Sequence, residues 1–348
     1  MKYPIWSSLI LLASLQILPV SNLEAADTIY QYNGSSPLLG DIKGYTKTEL
    51  TLQRGSKSVK IPANEVERVR WDGEAPQLNI ARGQEANGNY AAALKQYKKS
   101  QAGGSANLKK DLQFLIARAT TKSANSNPAA LDSGIKMLND FTKSNADHYR
   151  YYPAMKLLGK AYLTKKDYAA ANTAFGKLER SPWKDYQMDA KNMKARVMLA
   201  QGNTKGALAA FKAVTKMDAK TEAEQDSQRA AQLGSALCLE KEGKQQEAIK
   251  ILDNVIKTTS SQQSPLLAEA YLRKGDCFRE LGESKEALIA YLHIDVLFSK
   301  EPAIHAEALY HLSTLWGKVQ KPERGVEARA ILQQQYPNSE WTKKAAGS

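Results

Sequence analysis

The chain has 348 residues, 43% hydrophobic and 24% charged, which excludes a disordered polymer and is long for a single ordinary core. Lys and Arg outnumber Asp and Glu 49 to 36, so the net charge of +13 favours acidic partners. Two cysteines exclude a disulfide-stapled scaffold, and a regular array of repeated units accommodates a chain of this length.

Lys2 precedes an apolar run from Ile5 through Leu18, and Leu23, Glu24 and Ala25 then lead into Ala26 and Asp27. A basic start, a short apolar core and a small residue read as a secretory signal peptide over 1–25, cut after Ala25. A retained anchor is the alternative, but the run ends at Pro19 and falls short of the roughly 20 residues a span needs. The expected location is exported, in the periplasm or associated with the cell envelope. No cysteine lies near the cut to carry a lipid.

From Thr28 to Trp71, short runs of Val, Ile, Leu, Thr and Tyr are broken by Gly and Pro. These predict strands at 28–32, 39–45, 49–53, 57–61 and 66–71, within a small all-β unit over 26–75. The five-strand meander resembles a small SH3-like or Sm-like barrel. So small a sheet buries little apolar surface, so it is expected to dock on the rest of the chain through Trp71. The competing reading places Trp71 in an open ligand groove. Asp72 through Pro76 reads as the boundary, with Pro placed to start a helix.

Beyond Pro76 a small residue recurs at Ala93, Gly134, Ala171, Ala207, Ala248, Ala287 and Gly325, 36 to 41 residues apart. Four places later stand Tyr97, Leu138, Phe175, Phe211, Leu252, Tyr291 and, at the seventh, Arg329. The fullest unit carries Tyr271, Gly275, Phe278, Gly282, Ala287 and Tyr291. With Lys274 in place of a leucine, this pattern resembles the tetratricopeptide repeat. The resemblance implies a mainly α fold, a right-handed superhelical solenoid of about seven helix pairs over 76–342. Residues 343–348 are expected to be a disordered tail. The N-terminus and the ending Tyr336-Pro337-Asn338-Ser339 resemble those of exported bacterial tetratricopeptide proteins of the outer-membrane assembly and cell-division coordinator kind.

Gly275 and Ala287 let two antiparallel helices approach, and the aromatics fill the space around them. Cys238 and Cys277 hold equivalent places in successive first helices. Such helices lie about 8–10 Å apart, beyond the roughly 7 Å limit for a disulfide, which predicts two buried, unpaired thiols.

In this family the inner surface is lined by first-helix residues and commonly holds an extended peptide. The resemblance assigns Lys156 and Lys160 in the third repeat, and Asn192 and Arg196 in the fourth, to a candidate groove. They resemble part of a clamp that meets a peptide carboxylate by charge-assisted bonds; an ordinary solvated face is the alternative. Between Lys143 and Lys220 stand 16 Lys and Arg against 6 Asp and Glu. Glu269, Asp276, Arg279 and Glu280 follow in the sixth repeat, so the groove is expected to change sign along its length. His148, Tyr149, Arg150, Tyr151 and Tyr152 are expected to pack between repeats, the alternative being a stacking site for a base or sugar.

His148, His293, His305 and His311 have no metal-ligand spacing, and there is no phosphate loop or nucleophile elbow. A non-catalytic scaffold or adaptor without a cofactor is expected. It would bind protein or peptide segments that are acidic or have a free C-terminus. The alternative is a structural envelope protein that associates with an anionic polymer or membrane surface through the basic central repeats. An export signal argues against nucleic acid.

Overall fold

The computed structural model describes residues 26–32, 34–101, 103–124 and 127–347; the expected signal peptide lies outside them. Alternation of apolar and polar residues builds five strands, β1 (Asp27–Gln31), β2 (Leu38–Tyr45), β3 (Glu49–Arg54), β4 (Lys57–Pro62) and β5 (Val66–Arg70). All pairings are antiparallel and the order is β4-β3-β2-β1-β5. Leu50 pairs with Ile61 across β3 and β4, and both turn inward with Ile29, Leu52 and Val69.

Seven antiparallel helix pairs follow. They are α1 (Gln77–Ala86) with α2 (Tyr90–Ser100), α3 (Ala106–Ser123) with α4 (Ala130–Ser144), and α5 (Tyr151–Thr164) with α6 (Tyr168–Glu179). Next come α7 (Lys184–Ala200) with α8 (Thr204–Thr215) and α9 (Glu222–Lys241) with α10 (Gln245–Thr258). The last are α11 (Ser264–Glu280) with α12 (Ser284–Leu297) and α13 (Pro302–Lys318) with α14 (Pro322–Gln335). Asn89, Asp167 and Asn203 cap α2, α6 and α8 by accepting from a backbone N–H three residues on. Gly282 reverses the chain between α11 and α12 at φ 79°. In the third and seventh pairs Lys166 (φ 62°) and Gln320 (φ 60°) take that left-handed conformation without being glycine, at a cost of about 1–2 kcal/mol each.

Close approach explains the small residues. A Cβ on Gly275 would lie 2.6 Å from the Tyr291 ring, and one on Gly159 would lie 2.4 Å from Phe175. Gly234, which the repeat spacing does not single out, meets Phe211 of the preceding pair in the same way, at 2.4 Å. At the seventh pair the periodic place of Arg329 is only half-buried, and Ala328 and Leu332 fill the seam instead. The open side of that pair is covered by α15 (Glu340–Ala346), which packs on α13 and α14. Its Ala345 is 1% exposed, and the Trp341 ring lies 5.3 Å from Tyr310. The disordered tail expected from residue 343 is therefore helical through Ala346. A terminal repeat presents an apolar side that must be covered, and α15 covers it.

The sheet is fixed to the array by a buried polar knot. Trp71 is 3% exposed and donates through Nε1 to Asp111 Oδ2 on α3 at 3.3 Å, so it is a docking residue rather than the wall of an open groove. Asp111 Oδ1 accepts from Tyr149 Oη (2.7 Å) and from Arg150 Nε (3.2 Å). Arg150 Nη1 continues to the Glu67 carbonyl of β5 at 2.9 Å. His148, Tyr149 and Arg150 are thus consumed in packing and are not a platform for a base or sugar. Burial alone would raise the Asp111 carboxyl, but Arg150 beside it holds it below the usual range. Cys238 and Cys277 are buried and unpaired. Among the described residues no helix is long and apolar enough to cross a membrane.

Candidate functional site: the inner face of the array

Each odd-numbered helix from α3 to α13 touches the next odd-numbered helix, whereas among the described residues no two even-numbered helices make comparable contact. The odd helices therefore line the shorter, inner side of the curve, where a first-helix side chain can face a bound segment.

Of the four candidate groove residues, Lys156 and Lys160 come from α5, and Asn192 and Arg196 from α7. Lys156 Nζ lies 2.5 Å from Asp189 Oδ2 on α7, and that carboxylate raises its pKa. Arg196 reaches past α9 to α11, its two Nη atoms each 3.2 Å from an oxygen of Glu269. Burial alone would raise the Glu269 carboxyl, but Arg196 holds it down and keeps the pair ionised. Asn192 departs from expectation. It is 0% exposed and donates through Nδ2 to the Ser227 carbonyl of α9 at 2.7 Å, so it ties two helices together and does not face the groove.

Lys160 is the exposed member of the set and forms no ion pair with any described residue. Desolvation between the helices, and then repulsion from Lys156, push its ammonium down to about 8 against the opposing pull of Asp189. Asp189 and Glu269 also act on it but are paired with Lys156 and Arg196, which leaves Lys160 suited to an anion from outside the chain.

Toward the C-terminal repeats acidic groups join this face. Asp276, 4% exposed, accepts from Tyr291 Oη at 2.7 Å and from Arg273 Nη1 at 2.8 Å. Glu240 and Glu307 are each pushed up to about 7, first by burial and then by the Asp276 charge. His311 lies flat on the Tyr291 ring with centroids 4.9 Å apart, and burial brings it down to about 4, so it is neutral at ordinary pH. Donor atoms of Asp276, Glu307 and His311 lie within 4.8 Å of one another, close enough to surround one divalent ion. Both Asp276 oxygens are already engaged, however, with Arg279 Nη2 a further 3.8 Å away. Two guanidinium groups thus supply the compensating charge that an ion would bring.

Sequence reasoning placed Glu269 on this face but not its bond to Arg196, which joins residues 73 positions apart. Asp189 was legible in principle, because it precedes Arg196 by two helical turns and shares its face.

A tetratricopeptide repeat profile matches residues 192–265, and a second matches 268–294. No curated protein sequence matches the chain. Among solved structures, a Rap protein complexed with Competence and Sporulation Factor superposes with a TM-score of 0.51 at 16% identity, covering 77% of this chain and 78% of that one. A tetratricopeptide repeat protein from Parabacteroides merdae gives 0.49 at 15% identity, covering 77% and 95%. PilW, a type IV pilus biogenesis factor, gives 0.44 at 16% identity, covering 68% and 98%. Profiles, helix pairing and superposition agree on a tetratricopeptide-like α-solenoid preceded by a small antiparallel β-sheet.

Proposed function

We propose that the protein is an exported, non-catalytic scaffold that holds an extended protein segment along its inner face in the cell envelope. The observation that carries this reading is Lys160, an exposed inner-face cation with no carboxylate partner among the described residues, flanked by Lys156 and Arg196, which have theirs. A bound segment would bring an acidic side chain or its own terminal carboxylate to Lys160, and its basic part toward Glu240 and Glu307. Export rests on the order of residues in 1–25. Capture from envelope extract tests the proposal: Lys160→Glu should lose a protein that the intact chain retains. Recovery of the same proteins by both forms would put the interface elsewhere.

A second reading rests on the other side of the array. Lys177, Lys205, Lys212 and Lys216, on α6, on α8 and just after it, are exposed and form no ion pair with any described residue. Lys165, Lys191 and Lys194, by contrast, are held by Asp132 and Glu179. The uncommitted four would suit an anionic envelope polymer or membrane surface. Such binding should collapse between about 50 and 300 mM salt, whereas a segment seated in the groove should persist.

A further inference from the structure

Where β5 and the turn after β1 meet α1, α3 and the start of α5, a cavity of about 250 Å³ opens to solvent. Its walls carry five cations, Arg68, Arg82, Arg118, Lys122 and Arg150, against the carboxylates of Glu67 and Glu85. Three of the five are already committed. Arg82 is forked onto Glu74, Arg150 is bound to Asp111 and the Glu67 carbonyl, and Arg118 uses Nε and Nη2 on Glu85 at 2.7 and 2.8 Å. Burial opposes ionisation of Glu85, but Arg118 holds its carboxyl below the usual range, so that fork is filled by a charged partner.

Arg118 Nη1 makes no bond to any described residue. Arg68 lies 3.6 Å over the Tyr30 ring without an ion pair, and Lys122 has none either among the described residues. Lys122 is pushed down, first by desolvation and then by Arg118, as expected of a cation that lacks its anion. The forks of Arg82 and Arg118 are taken. What remains is the unpaired Arg68 guanidinium of β5 with Arg118 Nη1 and Lys122 Nζ of α3, three cationic donors lining one cavity, which suit an oxyanion that carries more than one charge and more than two acceptor oxygens.

We infer that this cavity binds a phosphate group, as the free ion or as a monoester, held by Lys122 Nζ, Arg118 Nη1 and the Arg68 guanidinium. The site is built jointly by the sheet and the first repeats, and it stands whether or not the inner face binds a protein segment.

The test is calorimetric titration of the full chain with inorganic phosphate and with glycerol 3-phosphate, at constant ionic strength. The intact chain should bind at least one of them. Arg68→Gln with Lys122→Gln should weaken that binding by at least about a hundredfold, the loss of two charged hydrogen bonds. Lys122→Gln alone changes an exposed side chain without an ion pair, so it should fold and weaken binding by roughly tenfold. The pair Lys98→Gln and Lys99→Gln removes the same charge from the exposed side of α2 and should leave binding unchanged. Tighter binding of the ester would identify a monoester ligand, and equal binding the free ion; both support the site. No binding of either compound, or equal weakening by the Lys98 and Lys99 pair, overturns it.

Discussion

Asp111→Asn tests how the sheet is held on the array. Asparagine keeps the volume, so no cavity forms, and its Oδ1 can still accept from Tyr149 and Arg150. Its Nδ2, however, replaces the oxygen that meets Trp71 Nε1 at 3.3 Å, setting two donors face to face. Arg150 also loses its charge partner, in a pair whose side chains are 4% and 1% exposed. Neutralising one member of a buried pair costs about 3–5 kcal/mol. The loss falls at the junction, so hydrogen exchange should report it as lost protection of the amides of β1 through β5, ahead of the central helices. Asp132→Asn is the control, since its pair with Lys165 is 72% and 50% exposed, and it should leave stability nearly unchanged. There is a pH signature as well. The Asp111 carboxyl is depressed in the folded chain, so its contribution is complete above the ordinary carboxylate pKa and is lost as pH falls through the lower folded value. Asp111→Asn should lack that acid-dependent component. A variant within about 1 kcal/mol of the parent, with sheet protection intact, would refute the reasoning.

Three further outcomes follow from the packing. Gly275→Ala should destabilise by about 1–3 kcal/mol in urea titrations although alanine is the better helix former, because Tyr291 is 0% exposed and its hydroxyl is fixed on Asp276. Gly83→Ala, with nothing within 4 Å of the added Cβ, should stabilise by about 0.5–1 kcal/mol; the same sign at both positions would contradict the seam. Glu307 is raised to about 7 in the folded chain, so it takes up protons on folding and lowers stability as pH rises from its ordinary value through 7. Glu307→Gln should therefore stabilise more at pH 8 than at pH 4.5, and a pH-independent difference would remove that role. The Cys238 and Cys277 thiols, pushed up to about 11 and about 12 chiefly by burial, should resist a disulfide reagent at pH 8 until urea opens the array; fast labelling of the native chain would count against their burial.

Local pattern made much of this molecule legible. The five strands lie within one residue of where alternation and turn residues put them, because Gly, Pro or Asn stands at most of their ends, the Thr46-Lys47-Thr48 turn between β2 and β3 excepted. Ala93, Ala171, Ala207, Ala248 and Ala287 are each 0% exposed, on the second helices that the spacing assigned to them. What escaped depends on curvature and on contacts between distant segments. Arg196 and Glu269 meet because α7 and α11 converge on the inside of the bend, which no periodicity encodes. Asn192 shares a helical face with Arg196, yet one turn of helix separates a side chain held by α9 from one in the groove. The knot at Asp111 joins α3 to Trp71 and to Tyr149 and Arg150; the sequence marks Trp71 and the aromatic run before α5, but not Asp111, which meets them only once the sheet is docked. Gly234 was missed because its aromatic partner lies in the preceding pair, outside the repeat to which its helix belongs.

The central claim, that the inner face is the binding surface, is tested most directly by a photo-crosslinking residue placed at Lys160 and, in a second chain, at exposed Lys212 on α8. Irradiation in the native host should yield protein adducts from position 160 that are absent at 212. Adducts at 212 alone, or at neither position, would contradict an inner-face scaffold and favour the basic outer surface.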